Sequence, residues 1–288
     1  MQGWTPGCGC ARHGRRLFTG ALLGAGLGTV LPAAASIPEC KRSGFTKAIS
    51  AEQVETGAAQ QYRQMLQKAG TERALAPSNH PQLQRLRYIA DRIIPFTPEC
   101  NERARQWRWE VNLIGSKQIN AFCMPGGKIA FYFGILQQLQ LDDDEVAMIM
   151  GHEAGHALLE HAREQMGKNA ATGIGVNLLS SLLGLGAGGD ALLRMGGQLV
   201  SLKFGREDES EADLVGLDLA ARAGYDPEAG VRLWQKMAKA SQGAPPEFLS
   251  THPSGETRIR DIQANIPRVA PLFTRADRPR ERFGPPKA

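Results

Sequence analysis

Val146-Ala147-Met148-Ile149-Met150-Gly151-His152-Glu153-Ala154-Gly155-His156-Ala157-Leu158-Leu159 is the stretch on which this chain turns. Only His152, Glu153 and His156 carry polar side chains in it, and the remaining residues are apolar or small all the way round a helix. A helix of that composition is buried on most sides, and a buried polar side chain must be satisfied or functional. His152 and His156 are four residues apart, about 40° round one face. Two imidazoles so placed can reach one metal ion at about 2.0–2.1 Å from each nitrogen. Glu153, one step round, flanks that ion and can take a proton from water. The pattern has only three fixed positions and occurs by chance, but chance matches fall mostly on exposed helices among other charges. A catalytic zinc takes three protein ligands and keeps one position open. Candidates for the third donor lie downstream in Arg206-Glu207-Asp208-Glu209-Ser210-Glu211-Ala212-Asp213, which opens a helix of otherwise small or apolar residues.

Upstream the period changes. Residues 51–69 and 81–94 read as helices, the second with Leu83, Leu86, Ile89 and Ile93 on its apolar stripe. Trp107 to Leu113 alternates as a half-buried strand, and Ile119–Met124 and Ile129–Phe133 follow as two more. A short helix covers 134–140, and Asp142-Asp143-Asp144 starts the long helix at its positive end, running to about Met166. Further helices are expected at 206–223, from Asp226-Pro227 to about Lys239, and at 254–265. The fold class is α+β: a mostly helical body with a small sheet beside the long helix. Residues 36–50 read as a linker, and the Pro- and Arg-rich 266–288 as a disordered tail.

With 288 residues, 42% hydrophobic, the chain has material for a sizeable core and is no disordered polyampholyte. Its formal charge is +5, and discounting Arg12, Arg15 and Arg16 of the first 35 residues leaves about +2. That balance and an aromatic content of 6% argue against a nucleic-acid partner. Arg15-Arg16, the uncharged run Leu17–Leu31 and Ala33-Ala34-Ala35 form an export signal over 1–35. Gly14 to Thr19 resembles the twin-arginine form, an ordinary secretory signal being the alternative. The location implied is periplasmic. Cys40 follows Ile37-Pro38-Glu39, the wrong context for a lipoprotein. Beyond the signal Cys40, Cys100 and Cys123 remain, and a Cys40–Cys100 disulfide with Cys123 free is the pairing to test. Residues 169–189 carry no charge; they read as a helical hairpin or loop over the core, with membrane-surface or substrate contact as the second reading.

Several segments, in order, resemble the M48 peptidase family of the gluzincin type. They are Asn120-Ala121-Phe122 with Pro125-Gly126-Gly127, HEAGHALLEHA at 152–162, Gly205 to Asp213, Ala223-Gly224-Tyr225-Asp226-Pro227, and Thr251-His252-Pro253 with Arg258-Ile259. The resemblance covers about 50–265; Gly205 stands where the family pattern has Ser. It implies a zincin-type metalloendopeptidase domain over 51–265 with one Zn²⁺, ligated by His152, His156 and Glu209, and with Glu153 as the base. Helical geometry agrees on Glu209: Ala212, Asp213, Gly216 and Ala220 fall within about 60° of it, whereas Glu207 and Glu211 fall with Asp218 and Arg222 on a face that reads as solvent. Asp213 is expected to hydrogen-bond a ligand histidine. His252 is expected to stabilise the oxyanion or to occupy the open metal position at rest. Asn120 and Ala121 are expected to bind an extended peptide along a strand edge. His161, about 180° round from His152 on a continuous helix, is expected to face away as a structural residue. The substrate implied is a peptide or unfolded protein of the cell envelope. The competing reading is an exported, non-proteolytic holdase or assembly factor, against which Glu153 speaks; a closed, four-ligand structural zinc site is the third.

Overall fold

The long helix begins at Asp142, and its start is fixed twice over. Asp142 Oδ1 accepts from Glu145 N at 2.8 Å and Glu145 Oε2 accepts from Asp142 N at 2.8 Å. Acids in this first turn also meet the positive end of the helix dipole. The helix itself is α4 (Asp143–Leu158), and every residue from Glu145 to Leu158 is buried. Buried Asp143 is matched by Arg85, whose Nε lies 2.6 Å from Asp143 Oδ1.

The computed structural model describes residues 40–171, 199, 202–241, 246–253 and 255–287. The export signal, residues 36–39 and the uncharged run beyond Ala171 lie outside them. Around α4 stand α1 (Ala51–Thr71), α2 (Pro81–Ile93), β1 (Glu110–Ile114), β2 (Ala121–Met124), β3 (Lys128–Tyr132), α3 (Phe133–Gln138), α5 (His161–Ala171), α6 (Arg206–Arg222), α7 (Ala229–Ala240), α8 (Glu247–Thr251) and α9 (Glu256–Arg275). This is the expected α+β class. No helix of the described residues is long and apolar enough to cross a membrane.

The sheet order is β1-β3-β2, with β1 parallel and β2 antiparallel to β3. Among the described residues, β2 is therefore an edge strand. α4 packs against α6 at glycine contacts: a β-carbon at Gly151 would lie 2.7 Å from the Gly216 carbonyl oxygen, and one at Gly155 3.0 Å from that of Ala212. Only side chains this small let the backbones of α4 and α6 approach closely enough to bring His152 and Glu209 together.

Three expectations are corrected. The long helix does not continue to Met166: it stops at Leu158, Glu160 takes φ 61°, and α5 starts afresh at His161. That turn is held by Asn101 Nδ2, which donates to Leu158 O at 2.9 Å, and by Arg163 Nη1 at 2.5 Å from Glu160. Residues 266–287 are not a disordered tail. α9 runs through Pro267 and Pro271 to Arg275, because both prolines are exposed and four residues apart, so the carbonyls they leave free face water. Its inner side buries Arg258, Ile262, Val269 and Leu272. The chain then continues across α2 and the start of α4, with Phe283 N and Gly284 N donating to Asp143 at 2.8 and 3.1 Å. Asp218, read as solvent-facing, is fully buried, because α9 lies over that face and supplies Arg268 at 3.2 Å alongside Arg222 at 2.5 Å.

The stretch read as a linker is anchored in its described part. Cys40 is disulfide-bonded to Cys100, Gly44–Ala48 forms a 3-10 turn, and Ile49 O accepts from Arg163 at 2.6 Å. Cys123 is the free, buried thiol.

Candidate metal centre

α4 delivers His152, Glu153 and His156, α6 delivers Glu209 and Asp213, and the residue just beyond α8 is His252. His152, His156, Glu209 and His252 are all buried, and one ligand atom from each lies within 4.8 Å of the others. His152 Nε2 is 3.1 Å from His156 Nε2 and 3.3 Å from His252 Nδ1. The Glu209 carboxylate lies 3.0 Å from His252 Nδ1, 3.4 Å from His156 Nε2 and 3.6 Å from His152 Nε2. Donors bound tetrahedrally at 2.0–2.1 Å stand about 3.3–3.4 Å apart. The observed spacings bracket that value, and the donors are of the type zinc takes, so the residues fit the ion.

The electrostatics agree. Burial pushes the His156 imidazole well below its usual pKa, despite the neighbouring Glu209, which leaves it neutral with a lone pair to give. Burial alone would raise Glu209, but the imidazoles of His156 and His252 beside it outweigh that and hold the carboxyl far below the usual range. Burial raises Glu153, against the pull of His252 and His152, towards the range of a useful base. Glu153 Oε1 is buried without a hydrogen-bond partner and lies 3.5 Å from His252 Nε2.

Asp213 sits where it was expected, its Oδ1 3.0 Å from His152 Nδ1. Burial opposes its charge, yet the Arg258 guanidinium holds its pKa down, with Nε at 2.6 Å and Nη2 at 2.7 Å from its two oxygens. Arg258 also approaches Glu209 Oε2 at 2.6 Å and stacks 3.6 Å over the Trp234 ring. Asn120 immediately precedes β2; its backbone oxygen accepts from Tyr132 N and its side chain from Ala121 N at 2.9 Å. A cleft opens between β2 and α4, lined by Ala121, Phe122, Glu153, His156, Phe204 and His252 among others.

The sequence reading missed two neighbours of the centre. His161 does not face away: the break at Glu160 swings it round so that its Nδ1 is 2.9 Å from His156 Nδ1, with its Nε2 3.2 Å from Glu211. Arg258 entered only as part of a resemblance; no local pattern announces that a helix 45 residues after Asp213 completes the site. His80 lies apart from the centre and caps α2 by accepting from Gln82 N at 3.2 Å.

Residues 80–266 match the sequence profile of Peptidase family M48. The chain is 38% identical over 168 residues to Mitochondrial metalloendopeptidase OMA1 of Arabidopsis thaliana, covering 58% of this chain and 34% of that one. It is 30% identical over 226 residues to Metalloprotease LoiP of Escherichia coli, covering 75% and 81%, and 27% identical over 212 residues to Beta-barrel assembly-enhancing protease of Yersinia pestis, covering 69% and 42%. It thus spans about a third of the plant relative and most of LoiP. With the profile over most of the described residues and the donor set in place, the chain belongs to peptidase family M48, a family of zinc metallopeptidases.

Proposed function

We propose that this protein is a zinc-dependent metalloendopeptidase that cleaves unfolded or misassembled proteins of the cell envelope. The observation that carries the reading is the meeting of His152, His156 and Glu209 beside a buried, partly unpartnered Glu153 that lines an open cleft. These three residues would hold the zinc, which supplies Lewis-acid activation of water and of the scissile carbonyl. Glu153 takes the proton of the attacking water and returns it to the leaving amine nitrogen. Glu153 Oε1, buried without a hydrogen-bond partner, is free for that transfer. Asp213 holds His152 by its other ring nitrogen. The edge of β2 at Ala121, with Asn120 before it, would align an extended peptide by backbone hydrogen bonds. Of the two roles expected for His252, its Nδ1 among the ligand atoms supports the resting one, in which it occupies the position that substrate must take.

Purified protein should carry about one zinc per chain and cleave casein. Chelation should abolish cleavage and added zinc restore it; full-rate cleavage by zinc-free protein would refute the proposal. The envelope location rests on residues 1–35. Replacing Arg15 and Arg16 together by Lys should stop export if the signal is of the twin-arginine form, and unchanged export would assign it to the general secretory route.

A further inference from the structure

His156 and His161 face each other through the same ring atom, Nδ1 to Nδ1 at 2.9 Å. Two imidazole nitrogens at that distance share one hydrogen, so one donates and the other accepts. The far side of His161 decides which. Its Nε2 lies 3.2 Å from Glu211 Oε2, and a carboxylate only accepts, so the ring hydrogen of His161 sits on Nε2. Its Nδ1 is then bare and can only accept. His156 must therefore carry its hydrogen on Nδ1, which leaves its Nε2 bare, and that is the atom standing among His152 Nε2 and Glu209. Phe204 packs face to face on His156 with centroids 4.1 Å apart and lies 6.0 Å from His161, which restricts the swing of both rings.

We infer that His161 is a positioning residue that sets the tautomer of His156, aiming the Nε2 lone pair of that imidazole at the metal position. The inference rests on the proposed role of His156 as a ligand. It also gives the break in the long helix a purpose. On an unbroken helix, His161 would stand about 140° round from His156, out of reach. The φ of 61° at Glu160 restarts the chain so that the two rings meet. Glu211, 47% exposed, thereby becomes the outer end of a chain of hydrogen bonds from solvent to the centre.

The test compares His161→Leu with His161→Asp. Both replacements branch at Cγ; only Asp offers an acceptor where Nδ1 stood, and as the first residue of α5 it suits the helix dipole. Zinc affinity, measured by competition with a chromogenic chelator, should fall about 10–100-fold in His161→Leu and recover most of that loss in His161→Asp. The second readout needs no metal. In zinc-free protein with ¹⁵N-labelled histidine, His156 should be the Nδ1–H tautomer in wild type and in His161→Asp, and shift towards Nε2–H in His161→Leu. Wild-type affinity together with an unchanged His156 tautomer in His161→Leu would overturn the inference. Equal losses in both variants would also overturn it, leaving His161 a packing residue. Full zinc retention in His156→Ala would instead reject the ligand assignment under the proposed function, with the tautomer measurement standing apart from it.

Discussion

The two histidines of α4 are braced from opposite sides by unlike means. His152 leans on Asp213, which is 3% exposed and tied by two hydrogen bonds to Arg258, itself 5% exposed and stacked on Trp234. His156 leans on His161, whose own partner Glu211 is half open to water. The inner support is an ion pair inside the core, where losing one partner strands a charge at a cost of about 3–5 kcal/mol. The outer support ends in a half-exposed carboxylate whose hydrogen bond water can replace. One site thus carries a rigid side and an adjustable one, and substitutions should separate them.

The largest effect is expected at Glu209, which touches both sides. Glu209→Gln should lower zinc affinity by more than about 100-fold, beyond the range of residues acting through a ligand, and abolish casein cleavage. Full zinc content in that variant would mean that neither side has been read correctly. Asp213→Asn comes next: zinc affinity falling about 10–100-fold, with a lowered melting temperature in the zinc-free protein because Arg258 loses one of its two charge partners, Glu209 being the other. If the melting temperature holds, the inner support is not the ion pair described. Glu211→Gln should give the smallest change, within a few-fold in zinc affinity, since its amide oxygen can still accept from His161. A loss there as large as at Asp213 would erase the distinction between the two sides.

The inner side was largely legible in the sequence and the outer side was not, for a physical reason. His152, Glu153, His156, Glu209 and Asp213 lie within two regular helices, where 100° per residue fixes which side chains share a face. The turn at Glu160 carries no glycine or proline, and Leu158 to Ala162 reads as uninterrupted helix. It is held by Asn101, 57 residues away from Leu158, and by Arg163 within the next turn, so a continuous-helix reading puts His161 on the wrong side. The error at α9 was different in kind. Pro267 and Pro271 were given more weight than the stripe of Ile262, Val269 and Leu272, which the helix buries. With the second half of α9 read as tail, the face of α6 bearing Asp218 looks like solvent, so one misreading produces two corrections. The Cys40–Cys100 pairing, drawn from similar sequence contexts alone, is present.

Both supports serve a single chemical event, the proton transfer assigned to Glu153, and Glu153→Gln isolates it. The amide keeps the shape of the side chain but cannot accept the water's proton. Zinc content and casein cleavage should be measured on the same preparation. The expected result is about one zinc per chain, as in wild type, with cleavage reduced about 10²–10⁴-fold. Cleavage within a few-fold of wild type at full zinc content would contradict the role of Glu153 as the base.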